Sequence, residues 1–142
     1  MRKIPRNVIE HFRKVPLFSA VSERGLRAII STSDEISEPA GSVLVAEGDH
    51  RREFFVIVSG TARVTRRGRK VATVGPGDWF GEFALLAGVP RTATVTAETD
   101  VTLIMLGPQQ LELVLDEEPT VTRAVLKALG ERLHPHDRTA PG

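Results

Sequence analysis

Cysteine is absent from the 142 residues of the sequence, so neither a disulfide framework nor a thiolate metal site can form. A strong net charge is also lacking, because 19 lysines and arginines balance 18 aspartates and glutamates, and this argues against a nucleic-acid or anionic membrane partner. No stretch reaches the roughly 18 apolar residues of a membrane span, and the basic first ten residues lack the apolar run of a secretion signal. We therefore expect a cytoplasmic protein, without membrane contact, that binds its ligand at a local site.

Residues suited to catalytic or metal centres are scattered along the chain. The histidines are His11, His50, His134 and His136. No two of them share a helical face with a carboxylate at metal-ligand spacing, and no Ser-His-Asp or Cys-His set is indicated. The sequence therefore predicts a protein that is not an enzyme and holds no metal and no cofactor.

Apolar residues recur at helical spacing at both ends of the chain. Between residues 7 and 18 this spacing predicts a short helix that Pro16 ends, and Ser22 suits the N-cap of a second helix ending near Thr32. After Gly107 and Pro108 helical spacing returns, and Pro135 breaks it. The apolar stripe of this last helix consists of Val121, Val125, Leu129 and Leu133.

The middle of the chain consists of short β-prone runs. They cover residue 36 and residues 43–46, 54–58, 62–65, 71–74, 93–97 and 101–106. Turn residues such as Gly75-Pro76-Gly77-Asp78 separate most of them. This pattern predicts a mainly β fold with flanking helices, a β-roll or jelly-roll-like double-stranded β-helix barrel.

One domain is expected over residues 1–134, followed by a flexible tail at 135–142. Its parts are an N-terminal helical arm at 1–33, the β-roll at 34–107 and C-terminal helices at 108–134. The stripe of the last helix is expected to cover the roll as a lid or to pack against a second copy. A basic cluster on a predicted hairpin tip is interpreted as a solvated turn. The cluster consists of Arg63, Arg66, Arg67, Arg69 and Lys70.

The segment from Gly77 to Thr94 carries the most chemical information. Residues 83–87 are too short for a strand and rich in alanine and leucine, so we expect one helical turn directly after Gly81. The start of such a turn favours an anion, because its first N–H groups and its positive dipole end point outward. Arg91 can hold phosphate oxygens through two parallel hydrogen bonds, and Glu82 suits a neighbouring hydroxyl. The residue types therefore predict a sugar-phosphate site.

In order and spacing, these residues closely resemble the phosphate-binding cassette of the cyclic nucleotide-binding domain family. The resemblance covers nearly the whole chain, including the turns Pro39-Ala40-Gly41 and Glu47-Gly48-Asp49. It implies that Glu82 binds the ribose 2'-hydroxyl of cAMP or cGMP and that Arg91 binds the cyclic phosphate. It also implies that backbone groups line the site at Gly81, Phe83, Ala84 and Ala93.

Several residues in or near the cassette affect how a ligand would fit, and two of them leave alternatives open. The Thr92 hydroxyl can bond a phosphate oxygen or the exocyclic amine of a syn guanine, so it does not choose between cAMP and cGMP. Phe83 replaces a smaller aliphatic residue, and its ring either packs in the core or crowds the pocket. Arg51-Arg52 replaces the Gly-Asp turn usual in the family. Trp79 and Phe80 are expected to be core anchors.

Two functions follow from this pattern. The first is a stand-alone sensor, because only nine residues follow Leu133 and the helix-turn-helix module of related transcription regulators needs some tens. Such a sensor would act through an unknown protein partner or a homodimer, without direct DNA binding. The alternative is a ligand-free protein-interaction module that retains the fold, with Phe83 filling the pocket.

Overall fold

A computed structural model describes residues 3–132 of the chain. The helices are α1 (Arg6–Arg13), α2 (Glu23–Thr32), α3 (Glu82–Ala87), α4 (Pro108–Glu117) and α5 (Pro119–Arg132), with a 3-10 turn at Pro16–Phe18. The strands are β1 (Asp34–Glu38), β2 (Val43–Val45), β3 (Phe54–Ser59), β4 (Ala62–Arg66), β5 (Arg69–Val74), β6 (Trp79–Phe80), β7 (Thr94–Ala97) and β8 (Val101–Leu106). The predictions for Leu133, His134, His136 and the tail at 135–142 lie outside the described residues.

The strands form two four-stranded sheets in which every pairing is antiparallel. One sheet has the order β1-β8-β3-β6 and the other β2-β7-β4-β5. The predicted mainly β fold with flanking helices is confirmed. It has the form of a β-roll whose two sheets, over residues 3–132, are not joined into one closed barrel.

Local sequence signals set the bounds of the N-terminal helices. The Ser22 hydroxyl accepts a hydrogen bond from the Gly25 N–H at 3.1 Å, which confirms the predicted N-cap of α2. The first helix is shorter than predicted, because α1 ends at Arg13 and a separate 3-10 turn begins at Pro16. Proline disfavours helical backbone at the residue before it, so the helix cannot continue into this turn.

Two clusters of buried apolar side chains hold the fold together. The first joins the helices to β3 and includes the rings of Phe12, Phe18 and Phe54. The second lies between the sheets and includes Phe55 and Ile57. Strand β3 therefore contributes side chains to both clusters and links the helical arm to the roll.

The apolar stripe of α5 packs on the N-terminal arm. Val121 and Val125 are buried in the first cluster, and Leu129 packs against it. A Cβ atom on Gly25 would lie 2.8 Å from Val121 Cγ2, so α2 and α5 approach closely at this glycine. The α5 stripe therefore covers the apolar face of the N-terminal arm and does not form the expected lid over the roll.

Candidate functional site

A cavity of about 280 Å³ lies between α3 and the strands β4, β5 and β7. It brings together all the ligand-site residues that the sequence indicates: Gly81, Glu82, Phe83, Ala84, Arg91, Thr92 and Ala93. Most of the remaining wall is apolar, and Val64 and Val74 contribute to it. A small ligand with one polar end matches this lining.

Gly81 begins the helical turn and allows Arg91 to approach it. Its φ is +92°, in the left-handed region that favours glycine. A Cβ atom at this position would lie 2.5 Å from Arg91 Nη1 and 2.6 Å from the carbonyl oxygen of Glu53. Glycine is therefore required here both for the backbone angle and for the space.

Arg52 holds the other end of α3. Its guanidinium donates to the carbonyl oxygens of Ala84, Leu85 and Leu86, at 3.2, 2.9 and 3.4 Å. The Ala84 carbonyl also accepts from the Gly88 N–H at 3.0 Å. Carbonyl oxygens at a helix C-terminus carry partial negative charge, so a cationic donor stabilises the turn. In the sequence pattern, Arg52 is visible only as the loss of a turn residue. No local signal could have found this role, because the partners lie 32 to 34 residues further along the chain.

Arg91 is held through both its backbone and its side chain. Its N–H donates to the Asp49 carbonyl at 2.8 Å, and its carbonyl accepts from the Gly48 N–H at 2.8 Å. Its Nη2 donates to the Glu53 carbonyl oxygen at 2.6 Å. The turn at residues 47–49 therefore fixes the position of Arg91, and β3 begins directly after the residue that orients its guanidinium.

The guanidinium of Arg91 is a buried cation with an unused donor. The residue is 7% exposed, and Nη1 has no hydrogen-bond partner among the described residues. Burial lowers the pKa of Arg91, while the nearby carboxylates of Glu53 and Asp49 oppose this change. The group stays protonated, because the ordinary pKa of arginine is far above neutrality. A buried cation of this kind favours an anionic ligand.

Glu82 places a carboxylate in the same cavity. The residue is 6% exposed and begins α3, where a negative charge interacts favourably with the helix dipole. An ionised carboxylate only accepts hydrogen bonds, so it selects a donor such as a hydroxyl. The site therefore combines one cationic and one anionic group.

The aromatic side chains near the cavity differ in their packing. Phe83 is 54% exposed and lies at the cavity wall, so its ring is not in the core. Trp79 packs against the first core cluster and Phe80 against the second, as predicted for core anchors. Both also contribute to the cavity wall. Of the two alternatives for Phe83, packing in the core is therefore excluded.

Replacing Gly81 with alanine is expected to destabilise the fold and weaken ligand binding. The left-handed backbone alone costs about 1 to 3 kcal/mol for a residue with a Cβ atom, and contact with Glu53 and Arg91 adds to this cost. Urea unfolding measures the change in the free energy of unfolding.

Gly41→Ala is the matched control, because Gly41 has the same φ of +92° with nothing within 4 Å of its Cβ position. Gly81→Ala should cost more than Gly41→Ala. Equal costs for the two variants would contradict the proposed clash at Arg91.

Neither a metal centre nor a membrane helix is found among residues 3–132. No group of three or more histidine or acidic side chains in this range is arranged to hold a metal ion. Every helix in the described part of the chain is too short or too polar to cross a membrane.

A family model and several curated proteins match this chain in sequence. A family model described as the cyclic nucleotide-binding domain matches residues 35–118. A cAMP-dependent protein kinase regulatory subunit of Aspergillus niger is 36% identical over 121 residues, covering 83% of this chain and 29% of the relative. The chain spans about a third of the length of this relative and of several other curated relatives that it matches.

Solved structures match in both fold and sequence. The N-terminal domain of a transcriptional regulator from Streptomyces coelicolor A3(2) is 32% identical, with a TM-score of 0.83, covering 93% of this chain and 97% of that domain. The regulatory domain of Toxoplasma gondii PKA, crystallised with cAMP, is 31% identical, with a TM-score of 0.70, covering 79% of this chain and 46% of that one.

Proposed function

This chain belongs to the cyclic nucleotide-binding domain family, and we propose that it binds cAMP or cGMP in the cavity beside α3. The observation that carries the proposal is the buried Arg91 guanidinium, whose Nη1 has no bonded acceptor in the described part of the chain. An anionic ligand would offset the cost of burying this cation. The similarity to the Toxoplasma gondii regulatory domain, which was crystallised with cAMP, supports a cyclic nucleotide as that anion.

The cyclic phosphate would be held by Arg91 and by the first turn of α3. The first N–H groups of a helix have no intrahelical partner, and Ala84 lies in this turn. Hydrogen bonds between an arginine and phosphate oxygens are charge-assisted, which makes them stronger than neutral ones. Because the Glu53 carbonyl already orients the guanidinium, little side-chain entropy would be lost on binding.

The ribose would be held by Glu82. Its carboxylate is buried in the same cavity, and a 2'-hydroxyl would donate a hydrogen bond to it. A 2'-deoxy nucleotide cannot donate this hydrogen bond to the carboxylate, so we expect it to bind more weakly. The pair of Arg91 and Glu82 would therefore select a ribonucleotide over anions that lack a ribose 2'-hydroxyl.

The role that fits this site is regulation rather than catalysis. The relatives named above are a kinase regulatory subunit and a transcriptional regulator. In a regulatory protein, the ligand shifts a conformational equilibrium by the difference in its affinity for the two states. That the chain acts as a stand-alone sensor, and that it acts through a protein partner or a homodimer, stay predictions.

Thermal melting of the purified protein tests the proposal. A ligand that binds only the folded state stabilises it by about 2.7 kcal/mol at 100 times its Kd, so cAMP or cGMP should raise the Tm by several degrees. Adenosine and guanosine, which lack the phosphate, are the controls and should leave the Tm unchanged. An unchanged Tm with both cyclic nucleotides at high micromolar concentration would contradict the proposal and favour an interaction module.

A further inference from the structure

The basic hairpin at residues 63–70 does not behave as one solvated turn. Strand β4 pairs with β7 in unbroken register from Ala62 to Thr65, so its side chains alternate between two faces. Val64 and Arg66 share a face, and both line the cavity. Arg63 lies on the other face and is exposed. Arg66 is exposed, as a solvated turn predicts, but it also lines the cavity, which Arg63 does not.

Arg66 is anchored to the cassette by a single hydrogen bond. Its Nε donates to the carbonyl oxygen of Thr92 at 3.1 Å, one residue after Arg91. Within residues 3–132 no acceptor is bonded to its two Nη amino groups. A guanidinium has five N–H donors in a fixed fork, so four remain available on a side chain that is already oriented.

The burial of the cavity wall indicates which part of a ligand Arg66 would contact. Glu82 and Arg91 are 6% and 7% exposed, so the ribose and phosphate end would lie inside. Arg66 and Thr92 are exposed, as are Phe83, Val89 and Pro90, and these residues mark the open side of the cavity. Arg66 is the charged residue among these five. A nucleotide with its phosphate on Arg91 would therefore extend its base toward Arg66.

We propose, on the premise that the site binds a cyclic nucleotide, that Arg66 contacts the base and selects guanine over adenine. Guanine presents two adjacent acceptors, O6 and N7, which match the fork of an arginine in two parallel hydrogen bonds. Adenine presents N7 beside an amino group, and that donor opposes the guanidinium. The preferred ligand is therefore cGMP, and Arg66 is a specificity-determining residue that the local sequence pattern did not reveal.

Calorimetric titration of the whole chain with cGMP, cAMP and cIMP tests this assignment in wild type, Arg66→Ala and Arg63→Ala. Hypoxanthine keeps O6 and N7 but lacks the 2-amino group, so cIMP separates a contact of Arg66 from any contact of Thr92. We expect wild type to bind cGMP about tenfold or more tightly than cAMP. Arg66→Ala should weaken cGMP and cIMP by about that factor and change cAMP by less than about twofold. Arg63→Ala should change none of the three affinities.

Each other outcome overturns the assignment in a distinct way. Equal weakening of cAMP and cGMP in Arg66→Ala would assign the residue to the phosphate or to support of the Thr92 backbone. Tighter binding of cAMP than cGMP by wild type would exclude guanine selection while leaving nucleotide binding intact. Absence of binding by wild type to all three nucleotides would overturn the proposed function itself.

Discussion

Replacing Arg91 with alanine is expected to cost about 2 to 5 kcal/mol of binding free energy, which weakens the binding of cyclic nucleotides by about 30-fold or more. The side chain is 7% exposed, and its Nη1 is without a hydrogen-bond partner in the described range. Loss of the guanidinium removes the charge-assisted bonds to phosphate and leaves an anionic ligand in a largely apolar cavity. The contact between Arg91 and the phosphate does not involve the base, so cAMP and cGMP should lose affinity by similar factors.

Calorimetric titration measures the loss of affinity in Arg91→Ala, and two further variants serve as comparisons. Arg63→Ala removes an exposed arginine from β4 that does not line the cavity, so it should bind as wild type does. Arg91→Lys keeps the charge but loses the planar fork, and an intermediate affinity is expected. Urea unfolding of Arg91→Ala verifies that the protein stays folded after losing the bond to Glu53. A folded variant with wild-type affinity would sink the proposed phosphate site.

Replacing Phe54 with alanine is expected to lower the free energy of unfolding by about 3 to 5 kcal/mol. Phe54 is fully buried, and its ring centroid lies 6.3 Å from that of Phe12 and 5.9 Å from that of Phe18, both in edge-on geometry. Loss of the ring would leave a cavity and remove the contacts of β3 with the rings of Phe12 and Phe18. A loss of this size is a large part of the 5 to 15 kcal/mol typical of a small domain.

Phe83→Ala is the matched control, because it removes the same ring from a site that is 54% exposed. The expected change in its free energy of unfolding is within about 0.5 kcal/mol. Urea unfolding, followed both by tryptophan fluorescence and by circular dichroism, measures both variants. Phe54→Ala unfolding at the same urea concentration as Phe83→Ala would contradict the proposal that this aromatic cluster joins the arm to the roll.

The cassette could be predicted from the sequence because its chemically informative residues lie close together, between Gly77 and Thr94. The predicted helical turn after Gly81 is present as α3, and the structure brings the predicted ligand residues into one cavity. Their individual roles toward a nucleotide stay predictions. The N-cap at Ser22 was found for the same reason, since the group it bonds lies three residues away.

Other features of the site depend on contacts that no local pattern contains. Arg52 caps α3 from more than thirty residues upstream, and the Glu53 carbonyl orients Arg91 across 38 residues. The apolar stripe of α5 was visible in the sequence, but an amphipathic stripe does not specify which apolar face it covers. In the structure it covers the N-terminal arm.

By itself the sequence determined the mainly β character of the chain, the helices at its two ends and the residue types of a sugar-phosphate site. These follow from periodicity, turn residues and caps, which act over a few neighbouring positions. Tertiary structure alone decided that Phe83 stays exposed, that Arg66 faces the cavity while Arg63 does not, and that Arg91 is buried with an unused donor. The physical reason is that burial and hydrogen-bond partners depend on segments far apart in the chain, which only packing brings together.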